Sequence, residues 1–468
     1  MTTLLRRIAR LAWPVLIGQW ASMMFGVLDT AMTGHASAVD LAAMGLSVTI
    51  YITVFVGLMG VLHALIPILA QLFGAGRWRE MGAMWGQGIW LALALSLVGG
   101  VVLMFPGLWL ALSGDLEPAV RGKIEAYLLA VALALPAALM FRTLYALANA
   151  VSRPMFIMLI NIGAIAVKFV GNALLIYGLA GLPALGALGA GISTIITSWA
   201  MLAAGLWWLR RDRYFRRFRL RITRPRWSHQ AELLRLGLPM GGSYLVEVCA
   251  FSFMALIVAR EGTQVIGGQQ IVANLTALAF MMPMALGVAA AALTAQAIGA
   301  GDARAARRTG RAAMLLGIAG ALTTALILYA ARAPLAHAYT SDAAVAATAM
   351  AILPIIPLFH LCDAMQCLVS YLLRAYKVAL VPLVLQALAL GGVGLTGGWW
   401  LGFGPGRELW PQLHTTWLPA LLSPDAPGNL PTGAATMWMM SGLGLALSAT
   451  LLWVWYGRVV RRTLRRHS

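Results

Sequence analysis

The sequence predicts an all-α polytopic membrane protein with twelve transmembrane helices in two pseudo-symmetric six-helix lobes. Composition is the first reason: of 468 residues, 61% are hydrophobic and 10% charged, against roughly 25% charged in soluble domains. The second is a series of apolar runs of about twenty residues, the length that crosses a ~30 Å hydrocarbon core as a helix. The third is an internal repeat. Ala70-Gln71-Leu72-Phe73-Gly74-Ala75-Gly76 returns as Ala295-Gln296-Ala297-Ile298-Gly299-Ala300-Gly301, and Pro14 returns as Pro239, both at an offset of 225. A weaker echo, Pro136/Pro354, Phe141/Phe359 and Val151-Ser152/Val369-Ser370, recurs at an offset of 218, as expected if the connections between these anchors shortened by seven residues. Two similar bundles facing each other form a cleft at mid-membrane, where transporters place their sites.

Spans are predicted at 11–33, 44–71, 84–110, 126–148, 155–178, 187–209, 236–258, 266–297, 311–331, 350–373, 378–401 and 434–457. Spans 1 and 7 share the proline of the repeat, spans 2 and 8 run into its glycine motif, and span 5 carries Lys168 and Asn172. The domains follow: an N-terminal lobe at 1–209, an arginine-rich linker at 210–235 and a C-terminal lobe at 236–468. The stretch 402–433 holds six prolines and cannot span. With Trp410 and Trp417 it either lies at the membrane interface or extends as a loop over the second bundle.

A net charge of +19 invites a nucleic-acid reading, but its placement argues against one. With loops assigned alternately, 27 of the 34 Lys and Arg fall on one side together with both termini, and five on the other. By the positive-inside rule both termini are cytoplasmic, as an even number of spans requires. The run from Arg210 to Arg221 is then a topology signal attracted to anionic lipid, not an RNA-binding segment. No cleavable signal pattern precedes the first span, which is therefore expected to be retained. Cys249, Cys362 and Cys367 all lie in spans without ligand spacing and read as buried free thiols.

Three acidic residues lie within spans: Asp29, Glu247 and Asp363. Each costs about 2.5–3.5 kcal/mol at a helix centre, so it persists only if partnered, hydrated or useful. The offset of the repeat places Glu247 at the position of Ser22, seven residues and ~10.5 Å of rise from Asp29 on nearly the same face. Lys168 and Asn172, spaced i,i+4, share a face and are candidate partners of Asp29. The pair is either a proton-exchanging site or a static ion pair that fixes helix packing. Glu247 and Asp363 have no cation at similar predicted depth, so they need a proton or a hard cation such as Na+, unless both are protonated in separate helix contacts. His360, one turn from Asp363, and His63 read as hydrogen-bonded helix histidines. Met32, Met281, Met282 and Met284 suit either a cavity for ligands of varied shape or lipid-facing filler. No phosphate-binding GxxxxGK[ST] loop, nucleophile–base pair, metal-ligand cluster or filter-like motif is present, which argues against ATP hydrolysis, an enzyme and a channel.

The segment Pro14 to Gly34, with Val27-Leu28-Asp29-Thr30-Ala31-Met32-Thr33-Gly34, resembles the signature of the multidrug and toxic compound extrusion (MATE) transporters, particularly the NorM-type bacterial branch. So do Ala70 to Gly76, Leu174 to Gly178, Gly186 to Thr194, Leu238-Pro239 with Glu247, Gly268 to Ile271, and Asp363 to Gln366 followed by Leu373 to Lys377. The resemblance implies V-shaped lobes and a cation-coupled antiporter that exports amphipathic, mostly cationic compounds across the bacterial inner membrane by alternating access. It needs H+ or Na+ but no cofactor, and its partners are small molecules and the lipid bilayer, with no nucleic acid and a monomeric chain. It makes Asp29, Glu247 and Asp363 the cation-coupling residues, with Na+ possible at the last two, and gives Asn172 and Thr194 supporting places beside Asp29. Lys168 and Asn172 depart from the Na+-binding archaeal pattern, and Gln269 stands where many relatives have His. A flippase of a lipid-linked precursor is the alternative, but it would want several arginines in its cavity, whereas only Arg142 and Lys168 lie in the interior of predicted spans.

Overall fold

The structure is a computed structural model that describes residues 1–111, 117–409 and 431–466. Among these residues twelve helices of 22 to 37 residues are apolar enough to cross a membrane. Even the shortest, at ~1.5 Å of rise per residue, reaches about 33 Å. They are α1 (Thr2–Ala36), α2 (Ala38–Gly74), α3 (Trp78–Met104), α4 (Pro118–Ala150), α5 (Met155–Ile176), α6 (Ala187–Arg211), α7 (Trp227–Glu261), α8 (Thr263–Gly299), α9 (Ala303–Ala330), α10 (Ala343–Ala375), α11 (Leu380–Gly402) and α12 (Thr432–Arg465). Each predicted span falls on one of them, and the described residues contain no strand.

One register holds further than the sequence reading expected. The starts of α1 to α5 and of α7 to α11 all pair at the offset of the repeat: Thr2/Trp227, Ala38/Thr263, Trp78/Ala303, Pro118/Ala343 and Met155/Leu380. The echo at 218 is therefore not a structural correspondence. Ser152 lies past the end of α4, whereas Ser370 lies inside α10. A seven-residue slip returns a helix to nearly the same face, so apolar helices with interior prolines match themselves at that slip. The starts of α6 and α12, Ala187 and Thr432, lie further apart than the register allows, the extra length falling in the proline-rich stretch. Of that stretch, Pro405–Leu409 forms a single turn. The choice between an interfacial segment and an extended loop falls on 410–430, outside the described residues.

Proline explains the departures from regular helix. Span 3 ends at Met104 rather than 110 because Phe105 precedes Pro106, which drives it out of the helical region (φ −116°, ψ 67°). Helix α2 breaks at His63–Ala64, one turn before Pro67, which has no N–H to offer the His63 carbonyl; Ile66 N donates to that carbonyl instead, at 3.1 Å. In α11 the glycine-rich Leu388–Gly397 widens to a π-helix, and Thr396 Oγ1 donates to the Gly391 carbonyl five residues back at 2.9 Å.

The chain forms two compact units, residues 10–244 with 295–301, and residues 1–9 with 245–294 and 302–468. In the first, α4 is the buried centre, packed against α2, α3 and α6. The arginine-rich linker lies on α3, where Gly82 and Gly86 leave room for the backbone of Phe218 and Arg221. Gln87 binds it on both edges, donating to Arg224 O at 2.9 Å and accepting from Arg226 N at 2.9 Å. Phe215 and Phe218 are buried while Arg153 and Arg217 each stand 3.7 Å from the Tyr214 ring centroid. In the second unit α10 packs against α9 and α12 around Phe359 and Trp438, whose rings meet edge to face at 4.9 Å. Both carboxylate oxygens of Glu261 cap α12, accepting from Gly433 N at 2.7 Å and Ala434 N at 2.9 Å.

Within the first unit the two copies of the repeated motif meet each other reciprocally. A methyl group at Gly74 would overlap the carbonyl oxygen of Gln296, and one at Gly299 would overlap that of Gln71. The Gln296 amide also donates to Ala150 O at 2.7 Å and Ser152 Oγ at 2.9 Å, which closes the end of α4. We predict that Gly74→Ala and Gly299→Ala each destabilise the protein by about 1–3 kcal/mol or more, as overpacking against a backbone does. Gly100→Ala, with open space around it, should not. Thermal unfolding of the detergent-solubilised protein checks this, and equal midpoints for all three would contradict the crossing.

Candidate functional site

The first site is built where α1, α5 and α6 meet. Asp29 is 5% exposed and Lys168 1% exposed, and Lys168 Nζ lies 2.8 Å from Asp29 Oδ1. An ammonium has three N–H donors, and the other two reach Thr194 Oγ1 at 2.6 Å and Ala190 O at 3.1 Å. Asn172 Nδ2 also donates to Asp29 Oδ1, at 2.8 Å, and Thr194 Oγ1 donates its own hydroxyl proton to Ala190 O at 2.9 Å. The i,i+4 spacing of Lys168 and Asn172 thus places both on the carboxylate. Further bonds pin α1 to α5: Asn161 Nδ2 to Gly18 O at 3.1 Å and Tyr177 Oη to Met32 O at 2.9 Å. Tyr51 of α2 and Tyr127 of α4 lie within electrostatic reach of Asp29. Single tyrosines in apolar runs carry no sequence signal that would have found them.

The second site lies in the other unit. Glu247 of α7 and Asp363 of α10 lie within electrostatic reach of each other, and Gln386 of α11 donates to Glu247 Oε2 at 3.4 Å. The expectation that neither carboxylate has a cation near it is corrected for Glu247. The buried Arg374, in the last turn of α10, acts electrostatically on Glu247, so this carboxylate is not without one. Arg374 was missed because it sits just past the apolar run and counts as a loop charge. His360 is fully buried, yet neither ring nitrogen meets a hydrogen-bond partner among the described residues, contrary to the hydrogen-bonded reading. His63 does meet one, Tyr244 Oη at 3.1 Å. Gln269 donates to Met254 Sδ at 3.2 Å and accepts from Trp438 Nε1 at 2.7 Å.

Met32 is half-buried on α1; in the second unit Met282 packs over Gly320, Met284 is buried and Met281 half-buried. Among the described residues no group of three or more His, Cys, Asp or Glu could hold a metal ion, and the three cysteines are free.

Twelve apolar helices, with an ammonium and a carboxylate paired between two of them, define a multi-pass membrane protein. The MatE family model matches residues 14–174 and again 239–400, its two starts standing in the register of the repeat, and the chain belongs to that family. It is 40% identical over 418 residues to the probable multidrug resistance protein NorM of Aromatoleum aromaticum, covering 89% of this chain and 90% of the relative. It is 31% identical over 467 residues to the multidrug resistance protein PmpM of Pseudomonas aeruginosa, covering 99% and 93%. Among solved structures, the Vibrio cholerae MATE transporter VcmN in its bent form superposes with a TM-score of 0.83 at 19% identity, covering 99% of this chain and 98% of that one. The eukaryotic MATE transporter AtDTX14 superposes with 0.85 at 17%, covering 100% and 99%.

The charges of the first site predict a stability test. Lys168→Met leaves a buried carboxylate with only one amide donor, and breaking a buried pair costs about 3–5 kcal/mol. Thermal unfolding should show that loss, and a second change, Asp29→Asn, should restore most of it. Independent, additive effects of the two substitutions would contradict the ion pair.

Proposed function

We propose that this chain is a cation-coupled multidrug antiporter of the bacterial inner membrane that exports amphipathic, mostly cationic compounds by alternating access. The relatives named as multidrug resistance proteins support drug export. The observation that carries the coupling is the buried Lys168–Asp29 pair. A bound Na+ needs several oxygen ligands, whereas Lys168 brings a positive charge and no oxygen to Asp29. The reading is therefore that H+ is the ion exchanged at Asp29. Glu247 and Asp363 act as a second cation-exchange site, where H+ or Na+ serves. The protein needs no other cofactor and works as a monomer.

Energetically, a conformational cycle exports only if the carboxylates prefer the cation in one state and release it in the other. One charge moving down 100 mV supplies about 2.3 kcal/mol, enough to sustain a roughly fiftyfold gradient of an uncharged substrate; exporting a monovalent cation costs the same amount, so that exchange is driven by the concentration gradient of the coupling ion or by a second ion.

Asp29→Asn, Glu247→Gln and Asp363→Asn should each lower dye efflux from cells by at least about tenfold at equal membrane expression, the loss expected when an essential ionisable group is removed. Undiminished efflux in all three would overturn the coupling role. The arginine distribution also supports a cytoplasmic place for residues 210–226 and both termini. An Arg213→Cys variant lacking the three native cysteines should resist a membrane-impermeant thiol reagent in intact cells and react in everted vesicles. Labelling in intact cells would reverse the topology.

A further inference from the structure

Between Arg210 and Arg226 the linker carries nine arginines and one acid, Asp212. Asp212 pairs with Arg153, outside the run, at 3.3 Å, and among the described residues none of the nine arginines has an ion-pair partner. Two of them are spent on rings: Arg217 stands 3.7 Å from the Tyr214 centroid and Arg211 5.2 Å from that of Trp207. Arg219, Arg221, Arg224 and Arg226 are exposed, in a stretch with no helix of its own.

Helix α3 fixes the depth of that stretch. The backbone of Phe218 lies against Gly82 and that of Arg221 against Gly86, and Trp90 Nε1 donates to Thr223 O at 2.8 Å. From Gly82 to Trp90 the helix rises about 12 Å. The apolar run of α3 begins only at residue 84, so the stretch starts outside the hydrocarbon and reaches its edge. A headgroup layer is about 5–7 Å thick on each side of a bilayer, and the stretch crosses it. Extended backbone at that depth needs its polar groups satisfied. Trp90 does this at Thr223, and the buried Gln87 does it at Arg224 O and Arg226 N, both at 2.9 Å. Ile222 is 61% exposed and Trp227 78%, apolar side chains that suit the boundary between headgroups and acyl chains.

A guanidinium presents a planar fork that matches two phosphate oxygens. Phosphatidylcholine neutralises its phosphate with its own choline, whereas an anionic phospholipid leaves the phosphate charge to be met by the protein. We propose that residues 219–227 are a docking surface for the phosphodiester headgroups of anionic phospholipids, with Arg219, Arg221, Arg224 and Arg226 on the phosphates and Ile222 and Trp227 at the acyl boundary. The sequence alone gives the whole arginine run an attraction to anionic lipid; the structure narrows it to four arginines seated at one depth on α3. The docked stretch ties α3 and the start of α7 to the same leaflet. It needs only the membrane-spanning fold, so it stands or falls independently of the antiporter reading.

The test offers purified full-length protein equal amounts of phosphatidylglycerol and phosphatidylcholine in detergent and reads the retained lipid by native mass spectrometry. Wild type should retain phosphatidylglycerol about tenfold or more over phosphatidylcholine. Changing all four arginines to glutamine should bring the ratio close to one, while Arg458→Gln, Arg461→Gln, Arg462→Gln and Arg465→Gln together, in the tail, should lower it by no more than about twofold. Changing the four linker arginines to lysine keeps the charges that set topology, and so keeps the test open if the glutamine variant does not insert. Loss of the fork should lower the ratio about threefold. As a second readout, a bimane on Ile222→Cys, in a variant lacking the three native cysteines, should be quenched in nanodiscs by lipids carrying a nitroxide on the acyl chain. Equal losses in the linker and tail variants, or a lysine variant that matches wild type, would mean diffuse attraction and overturn the proposal. Displacement of phosphatidylglycerol by matched inorganic phosphate, which would assign the arginines to a soluble anion, or an unquenched bimane, would overturn it as well.

Discussion

A charge inside hydrocarbon must be neutralised, and the way Asp29 meets that demand organises the first half of this protein. Its oxygen Oδ1 takes Lys168 and Asn172 from α5, and Lys168 spends its remaining donors on α6. Three helices are thereby held by one carboxylate and one ammonium, with α1 and α5 tied again at Gly18 and Met32. Such a junction is rigid while both groups are charged, and it loosens when a proton is placed on the carboxylate, because the ammonium then loses its counter-ion. On the proposed mechanism, stability and coupling therefore depend on the same pair.

The scaffold repeats while its chemistry does not. A single register runs through five helices of each half, yet the position equivalent to Asp29 is Met254, which is buried and accepts a hydrogen bond from Gln269. The position equivalent to Lys168 is Val393, within the π-helical stretch of α11. The second half instead places its carboxylates at Glu247 and Asp363, with Gln386 and Arg374 around the first. Duplication supplied the helices, and divergence at a few buried positions gave the two halves different charge environments.

Much of this was legible because hydrocarbon restricts what a sequence can do. Every predicted span falls on a helix, since a backbone in lipid has little alternative, and the i,i+4 spacing of Lys168 and Asn172 put both on one face as candidate partners of Asp29. The misreadings have two causes. Helical periodicity matches a chain to itself at a slip of seven residues, which produced the false register, and a window of apolar residues stops at the first charge, which hid Arg374. Tyr51, Tyr127 and Gln386 had no pattern to mark them, because only the three-dimensional meeting of helices gives one tyrosine or glutamine a role. Pro67 and Pro106 were visible in the sequence, but where each breaks or ends its helix depends on which carbonyl finds another donor.

The central claim is that proton exchange at membrane-buried carboxylates drives export. Purified protein in liposomes, loaded with a cationic fluorescent substrate and given an imposed pH gradient or an imposed Na+ gradient, measures this most directly. Proton coupling predicts that the pH gradient alone drives substrate movement against its concentration gradient, and that Asp29→Asn abolishes this movement. Transport that proceeds only with Na+, or that responds equally to the pH gradient in wild type and Asp29→Asn, would contradict it and leave Asp29 and Lys168 as a structural ion pair.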